Sequence, residues 1–174
     1  MRIKILAHTL CLAVLASSLS GCAGYRVGSM LPPDIETVYV PTFINKTKEP
    51  LLEVDTTAAV IEEIQKDGSL QIAKEAEADS ILEVTLINFA LDPVSYRRES
   101  SNLTAARQYR MTITVAYMLR RTKDDTIASE SAALSGDFVF ELIGDLSSSK
   151  LRGIPGASAD LAHKIVERLV ETWQ

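Results

Sequence analysis

Cysteine and histidine are scarce in this sequence, with two of each in 174 residues. One of each, His8 and Cys11, lies close to the start. Arg2 and Lys4 precede a mostly apolar run from Ile5 to Leu15, and Ala16-Ser17-Ser18-Leu19-Ser20-Gly21 then brings in small side chains. Positive residues, a short apolar run and small residues in that order form a secretory signal pattern, and the run is too short to span a bilayer as a helix. Removal of residues 1–21 leaves 153 residues with one cysteine, Cys22, and one histidine, His163. A lone cysteine excludes an internal disulfide even in an oxidising compartment, and one cysteine with one histidine cannot build a cysteine-histidine zinc cluster.

The same scarcity argues against catalysis. A Ser-His-Asp triad would have to use His163, which falls at the solvent edge of an amphipathic pattern and not in a cleft. The phosphate loop G-x-x-x-x-G-K-[ST] is missing, because "GDLSSSK" lacks its second glycine. Glu62-Glu63 and Asp124-Asp125 are adjacent in sequence, so their side chains diverge on a helix or a strand instead of working as a pair. No second long apolar run, internal repeat or low-complexity tract occurs. The sequence therefore predicts no enzyme, no metal and no cofactor.

What is present begins at Leu19-Ser20-Gly21-Cys22, which resembles the bacterial lipobox. That motif implies cleavage before Cys22 and acylation of its sulfur and new amine. Each buried methylene contributes about 0.8 kcal/mol, and more than one chain is needed for a stable anchor. Ala23 stands where an inner-membrane retention signal places Asp, so by resemblance to sorted lipoproteins the anchor belongs in the outer membrane, facing the periplasm. Residues 22–33, with Gly24, Gly28, Pro32 and Pro33, read as a lipidated tether, and residues 34–174 as one domain.

Within that domain "IETVYVPTF" (Ile35 to Phe43) reads as a strand, with Pro41 marking an edge or an end. After "NKTKEP", Val54, Ala58, Ile61 and Ile64 recur at helical spacing until Asp67-Gly68, opposite a face of Glu53, Asp55, Glu62, Glu63 and Lys66. A short strand around Leu70 to Ala73 precedes "SILEVTLINFAL" (Ser80 to Leu91), apolar enough to predict burial on both faces. From Tyr109 to Leu119 apolar and polar residues alternate, which predicts one face on a core and one facing water or a partner. "KDDT" turns into a last strand from Thr126 to Phe140. Residues 141–157, with three glycines and a proline, read as an irregular link, and Ser158 to Trp173 as a closing amphipathic helix. The expected fold is α+β, a single mostly antiparallel sheet of about four strands with two helices packed on one face.

Charge is unevenly distributed. Residues 97–123 hold Arg97, Arg98, Arg107, Arg110, Arg120, Arg121 and Lys123 against Glu99 alone, a balance of +6. The chain without its signal carries −7, so everything outside this window amounts to −13. Such segregation suits a polyanionic ligand or an acidic surface, and the arginine fork can grip two phosphate oxygens at once. Charged hairpin ends kept for solubility would give the same composition. Export and an acidic overall balance exclude a nucleic-acid target.

"GCAGYRVGSMLPPDIETVYVPTFINKTKEPLLE" with "AAVIEEIQKDG", "YRMTITVAYMLR" and "SESAALSGDF" resembles the LptE family of lipopolysaccharide-assembly lipoproteins. The resemblance implies a small sheet with two helices, seated as a plug inside an LptD-type outer-membrane β-barrel and assisting delivery of lipopolysaccharide to the cell surface. It also implies basic contacts to lipopolysaccharide in two places. "SYRR" matches the first, giving Arg97 with Arg98 beside it, and Lys150 falls in the loop of the second. Arg107, Arg110, Arg120 and Arg121 are further candidates for lipid or barrel contact. The competing reading is a peripheral outer-membrane scaffold on another envelope machine or on the cell wall.

Overall fold

The structure is a computed structural model that describes residues 31–171 apart from 33, 101 and 102; the side chains of 97–104 and 171 also lie outside the description. Its elements run β1 (Thr37–Tyr39), β2 (Ile44–Asn45), α1 (Leu52–Asp67), β3 (Gln71–Ile72), β4 (Ser80–Ser100), β5 (Leu103–Arg121), β6 (Ile127–Glu141) and α2 (Leu146–Glu171). They form one six-stranded sheet in the order β3-β1-β4-β5-β6, with β2 also on β4. No helix among the described residues is long and apolar enough to cross a membrane.

The α+β class holds, but the sheet is larger than four strands and is mixed. β1 pairs in parallel with β3 and β4, and β2 in parallel with β4; only β4-β5 and β5-β6 are antiparallel. The reason lies in the chain between Ile35 and Phe43. Pro41 offers no ladder donor, so the expected strand is cut short to β1; β2 forms just beyond it, at the start of the expected turn, and α1 crosses over to β3. Asp79 ties this corner together by accepting from Thr37 Oγ1 (2.7 Å), Thr37 N (3.0 Å) and Glu36 N (3.1 Å). The Thr37 hydroxyl, followed by burial that opposes it and by those amides, leaves the Asp79 pKa below its ordinary value.

β4 is buried on one face only. Leu82, Val84 and Leu86 are buried, while Ile87 is exposed. A register shift between Leu86 and Asn88 changes the phase, so that Phe89 and Leu91 then share the inner face with Ile113 and Met111. A bulge therefore explains the unbroken apolar run of Ser80 to Leu91. β5 follows its alternation: Met111, Ile113, Val115, Tyr117 and Leu119 are all buried, and Thr112, Thr114, Ala116 and Met118 face the other way.

The closing helix starts twelve residues before Ser158, and most of the expected link is helical. Asp145 caps it, accepting from Ser148 N at 2.9 Å, and that amide holds its carboxyl below the usual range. Pro155 lies inside the helix, where it has no N–H to donate to the Leu151 carbonyl, and both residues are exposed. The glycines serve packing. A β-carbon on Gly153 would come within 3.0 Å of the Phe140 ring, and one on Gly156 within 2.7 Å of the Phe138 ring. Helix α2 thus presses directly onto β6.

Helix α1 also turns a different face inward. Leu52, Thr56, Thr57, Val60 and Ile64 are buried, whereas Val54 and Ala58 are exposed. Two buried threonines are tolerable because both hydroxyls are bonded. Thr56 donates to the Leu52 carbonyl (2.7 Å), and Thr57 donates to the Glu53 carbonyl (2.6 Å) while accepting from Phe43 N (3.0 Å). Apolar side chains from both helices and the inner sheet face form one core, including Val60, Ile64, Leu161, Ile165 and Leu169.

Candidate functional site

With the helices and core on one side, the other sheet face is left open. Directly opposed residues share a face, so the registers give its rows. Asp92, Arg110 and Val139 form the first; Ala90, Thr112 and Asp137 the next; then come Asn88, Thr114 and Ser135. Thr85 and Ala116 follow, then Glu83, Met118 and Glu130, and finally Ile81, Arg120 and Ile127. The face is polar at its centre, as the alternation of β5 predicted.

β4 and β5 continue past the sheet. β6 stops pairing at Gln108–Glu141, whereas β4 and β5 pair on to Ser100–Leu103. Ser95 to Ser100 therefore form one side of a two-stranded arm about 20 Å long. Arg97 and Arg98 pair through their backbones with Ala105 and Thr104 on that arm, and their side chains lie outside the described residues. Cys22 lies outside them as well.

The basic window does not come together as one patch. Arg110 and Arg120 share the open face but stand ten positions apart on one strand, about 33 Å at the usual rise. Arg110 is exposed and has no ion pair among the described residues. Arg107, near the base of the arm, meets Glu141 at 3.6 Å. At the far end Arg120 bonds Glu83 (3.2 Å) and also Asp125, and these two acids hold its guanidinium firmly charged. Arg121 reaches Asp34 at 3.5 Å and Thr126 Oγ1 at 3.2 Å. Arg120 and Arg121 thus already serve the lower corner of the fold, and among the described arginines of the window Arg110 is the uncommitted one.

Lys150 lies in α2, not in a loop. Its Nζ stands 2.6 and 2.8 Å from the two Glu49 carboxylate oxygens. Glu49 belongs to the "NKTKEP" turn, which Asn45 organises: its amide donates to the Glu49 carbonyl (2.8 Å) and Glu53 Oε2 (2.7 Å), and its Oδ1 accepts from Thr47 N (2.9 Å) and Thr47 Oγ1 (2.8 Å). The turn locks its odd residues and leaves Lys46 and Lys48 exposed. His163 is on the solvent side of α2, bonded to Glu63 at 3.0 Å. Among the described residues no cluster of His, Cys, Asp and Glu could hold a metal ion.

Sequence reasoning overlooked a hollow of about 670 Å³ on the open face around Ala116, Met118 and Ala132. Its signal was readable only in part. Small residues at Ala116 and Ala132 are visible, but their meeting depends on a register shift between Val115 and Tyr117.

No curated protein matches the chain. Among solved structures, the PelC dodecamer from Paraburkholderia phytofirmans gives a TM-score of 0.50 at 13% identity, covering 85% of this chain and 96% of that one. The hypothetical protein CT253 from Chlamydia trachomatis gives 0.50 at 10% identity, covering 78% of this chain and 95% of that one. At such identities the likeness concerns the fold alone. The sequence model of the lipopolysaccharide-assembly family LptE matches residues 35–171, and the chain belongs to that family.

Proposed function

We propose that the chain is a non-enzymatic, lipid-anchored component of the outer membrane, held on its periplasmic side through acyl chains on Cys22. In this reading it plugs an LptD-type β-barrel, supports barrel assembly, and helps pass lipopolysaccharide to the surface. A role in lipopolysaccharide assembly follows from the family. The observation that carries the finer reading is the uncovered polar sheet face. Thr112 and Thr114 lie at its centre, and Arg110, exposed and without an ion pair among the described residues, lies at its arm end. Barrel lumens are polar, so a domain enclosed by one needs a polar outer surface, and a sheet face left uncovered by helices supplies it. Arginines toward the arm supply charge for lipid phosphates or acidic wall residues.

Depletion of the protein tests this reading. The amount of mature barrel should fall, and cells should become permeable to large hydrophobic antibiotics. Arg110→Glu should reproduce part of the defect, since it places an acid against phosphate or an acidic wall. Normal barrel levels with an intact permeability barrier after full depletion would favour a cell-wall or other envelope scaffold instead.

A further inference from the structure

The hollow on the open face has a definite chemistry. Ala116, Met118, Ala132 and Ile44, the last 60% exposed, line it together with Glu83 and Glu130. In the sheet, Met118 sits directly between the two glutamates, on β4 and β6 respectively. Glu83 is already neutralised by Arg120. Glu130 is exposed and has no ion pair among the described residues. An apolar floor next to one unbalanced carboxylate favours a ligand that is apolar along its length and cationic at its tip.

Lysine and arginine side chains have that construction, burying an aliphatic stem while the charged head stays at a polar rim. An acyl chain would leave Glu130 facing hydrocarbon without a partner, and a lipid phosphate would meet it as a like charge. We propose that this hollow receives a lysine or arginine side chain, with its apolar neighbours, from the barrel that encloses the domain. The inference rests on the plug reading and adds direction to it. The open face is then hollow with an unbalanced carboxylate at the Glu130 end, whereas at the other end Arg110 stands opposite Asp92, so the two ends ask for different wall chemistry.

The test uses the full-length lipoprotein co-expressed with an LptD-type barrel, with a photo-crosslinking residue at Ala132, which is exposed and leaves the core untouched. Adducts are mapped by mass spectrometry, and co-purification of the untagged barrel with the unmodified lipoprotein is scored separately. The expected adduct joins Ala132 to a barrel segment containing lysine or arginine. Its yield should drop on the order of tenfold in Glu130→Lys and less in Glu130→Gln, as for loss of one interfacial charge pair. Both variants should keep the wild-type melting temperature. If the barrel co-purifies but adducts fall on segments without a basic residue, on lipopolysaccharide, or nowhere, the hollow assignment is overturned and the plug reading stands. An unchanged yield in Glu130→Lys overturns the hollow assignment in the same way. If the barrel does not co-purify at all, both fail together.

Discussion

Gly136 of β6 and Leu161 of α2 meet backbone against backbone: a β-carbon added to Gly136 would lie 2.5 Å from the N, Cα and Cβ atoms of Leu161. No rotamer relieves a clash with main-chain atoms. Gly136→Ala should therefore cost about 1–3 kcal/mol, the usual range for overpacking, or more if α2 cannot shift. Chemical denaturation of the purified domain measures it, and a wild-type midpoint would refute the contact.

Lys150 and Glu49 lie 101 residues apart and join the start of α2 to the "NKTKEP" turn, with side chains only 23% and 11% exposed. Loss of Lys150 leaves a partly buried carboxylate without its counter-charge. Lys150→Met should lower stability by roughly 1.5–3 kcal/mol, the range for hydrogen bonds to charged groups. Lys150→Met combined with Glu49→Gln should cost less than the sum of the two single changes, because both remove the same interaction. Strict additivity in a double-mutant cycle would show that the pair is not coupled.

These two contacts show how far sequence could reach. The alternation of Tyr109 to Leu119 exposed the two-faced sheet, and Gly68 ended α1 as expected. Local rules failed where a distant partner decided the outcome. Gly153, Pro155 and Gly156 look like loop residues until Phe138 and Phe140 are seen packed beneath α2. Thr56 and Thr57 look like solvent residues until their carbonyl acceptors are known. For the site, the arginines were legible as a run, but extended strand geometry separates Arg110 from Arg120, and Lys150 turned out to be bound within the fold.

His163 and Glu63 predict a pH dependence. The Glu63 hydrogen bond, followed by opposing burial, raises the His163 pKa above its ordinary 6.5, and the same bond is the main reason that Glu63 falls below its ordinary 4.5. The histidine contribution is complete below pH 6.5 and is lost as pH rises through the raised folded value. The glutamate contribution is complete above pH 4.5 and is lost as pH falls through the depressed folded value. The pair therefore acts fully between those limits, and stability should decline from slightly acid to slightly alkaline pH. His163→Gln should flatten that decline. With His163 67% exposed, the effect should be small and fade in high salt. A decline unchanged in the variant would assign it to other groups.

The outer edge of β6 is guarded. Asp160 accepts from the Asp137 amide at 2.7 Å, Lys164 donates to the Ser135 carbonyl at 3.3 Å, and the two side chains bond each other at 2.7 Å. Both backbone groups point away from β5, where another strand could add. Asp160→Ala with Lys164→Ala should speed hydrogen exchange at Asp137 and produce concentration-dependent association in light scattering. Ser135→Pro added to that variant should restore the monomer by removing an outward donor. A folded double variant that stays monomeric at every concentration would deny the guard its role.

The central claim is that the open sheet face packs against the inside of an outer-membrane barrel. Thr112 lies in the middle of that face, between Ala90 and Asp137. Photo-crosslinking from position 112 in living cells tests the claim most directly, with adducts identified by mass spectrometry. The account predicts one dominant adduct, to lumen-facing residues of the LptD-type barrel. Adducts to cell-wall-bound proteins, or no barrel adduct from normally abundant protein, would contradict it.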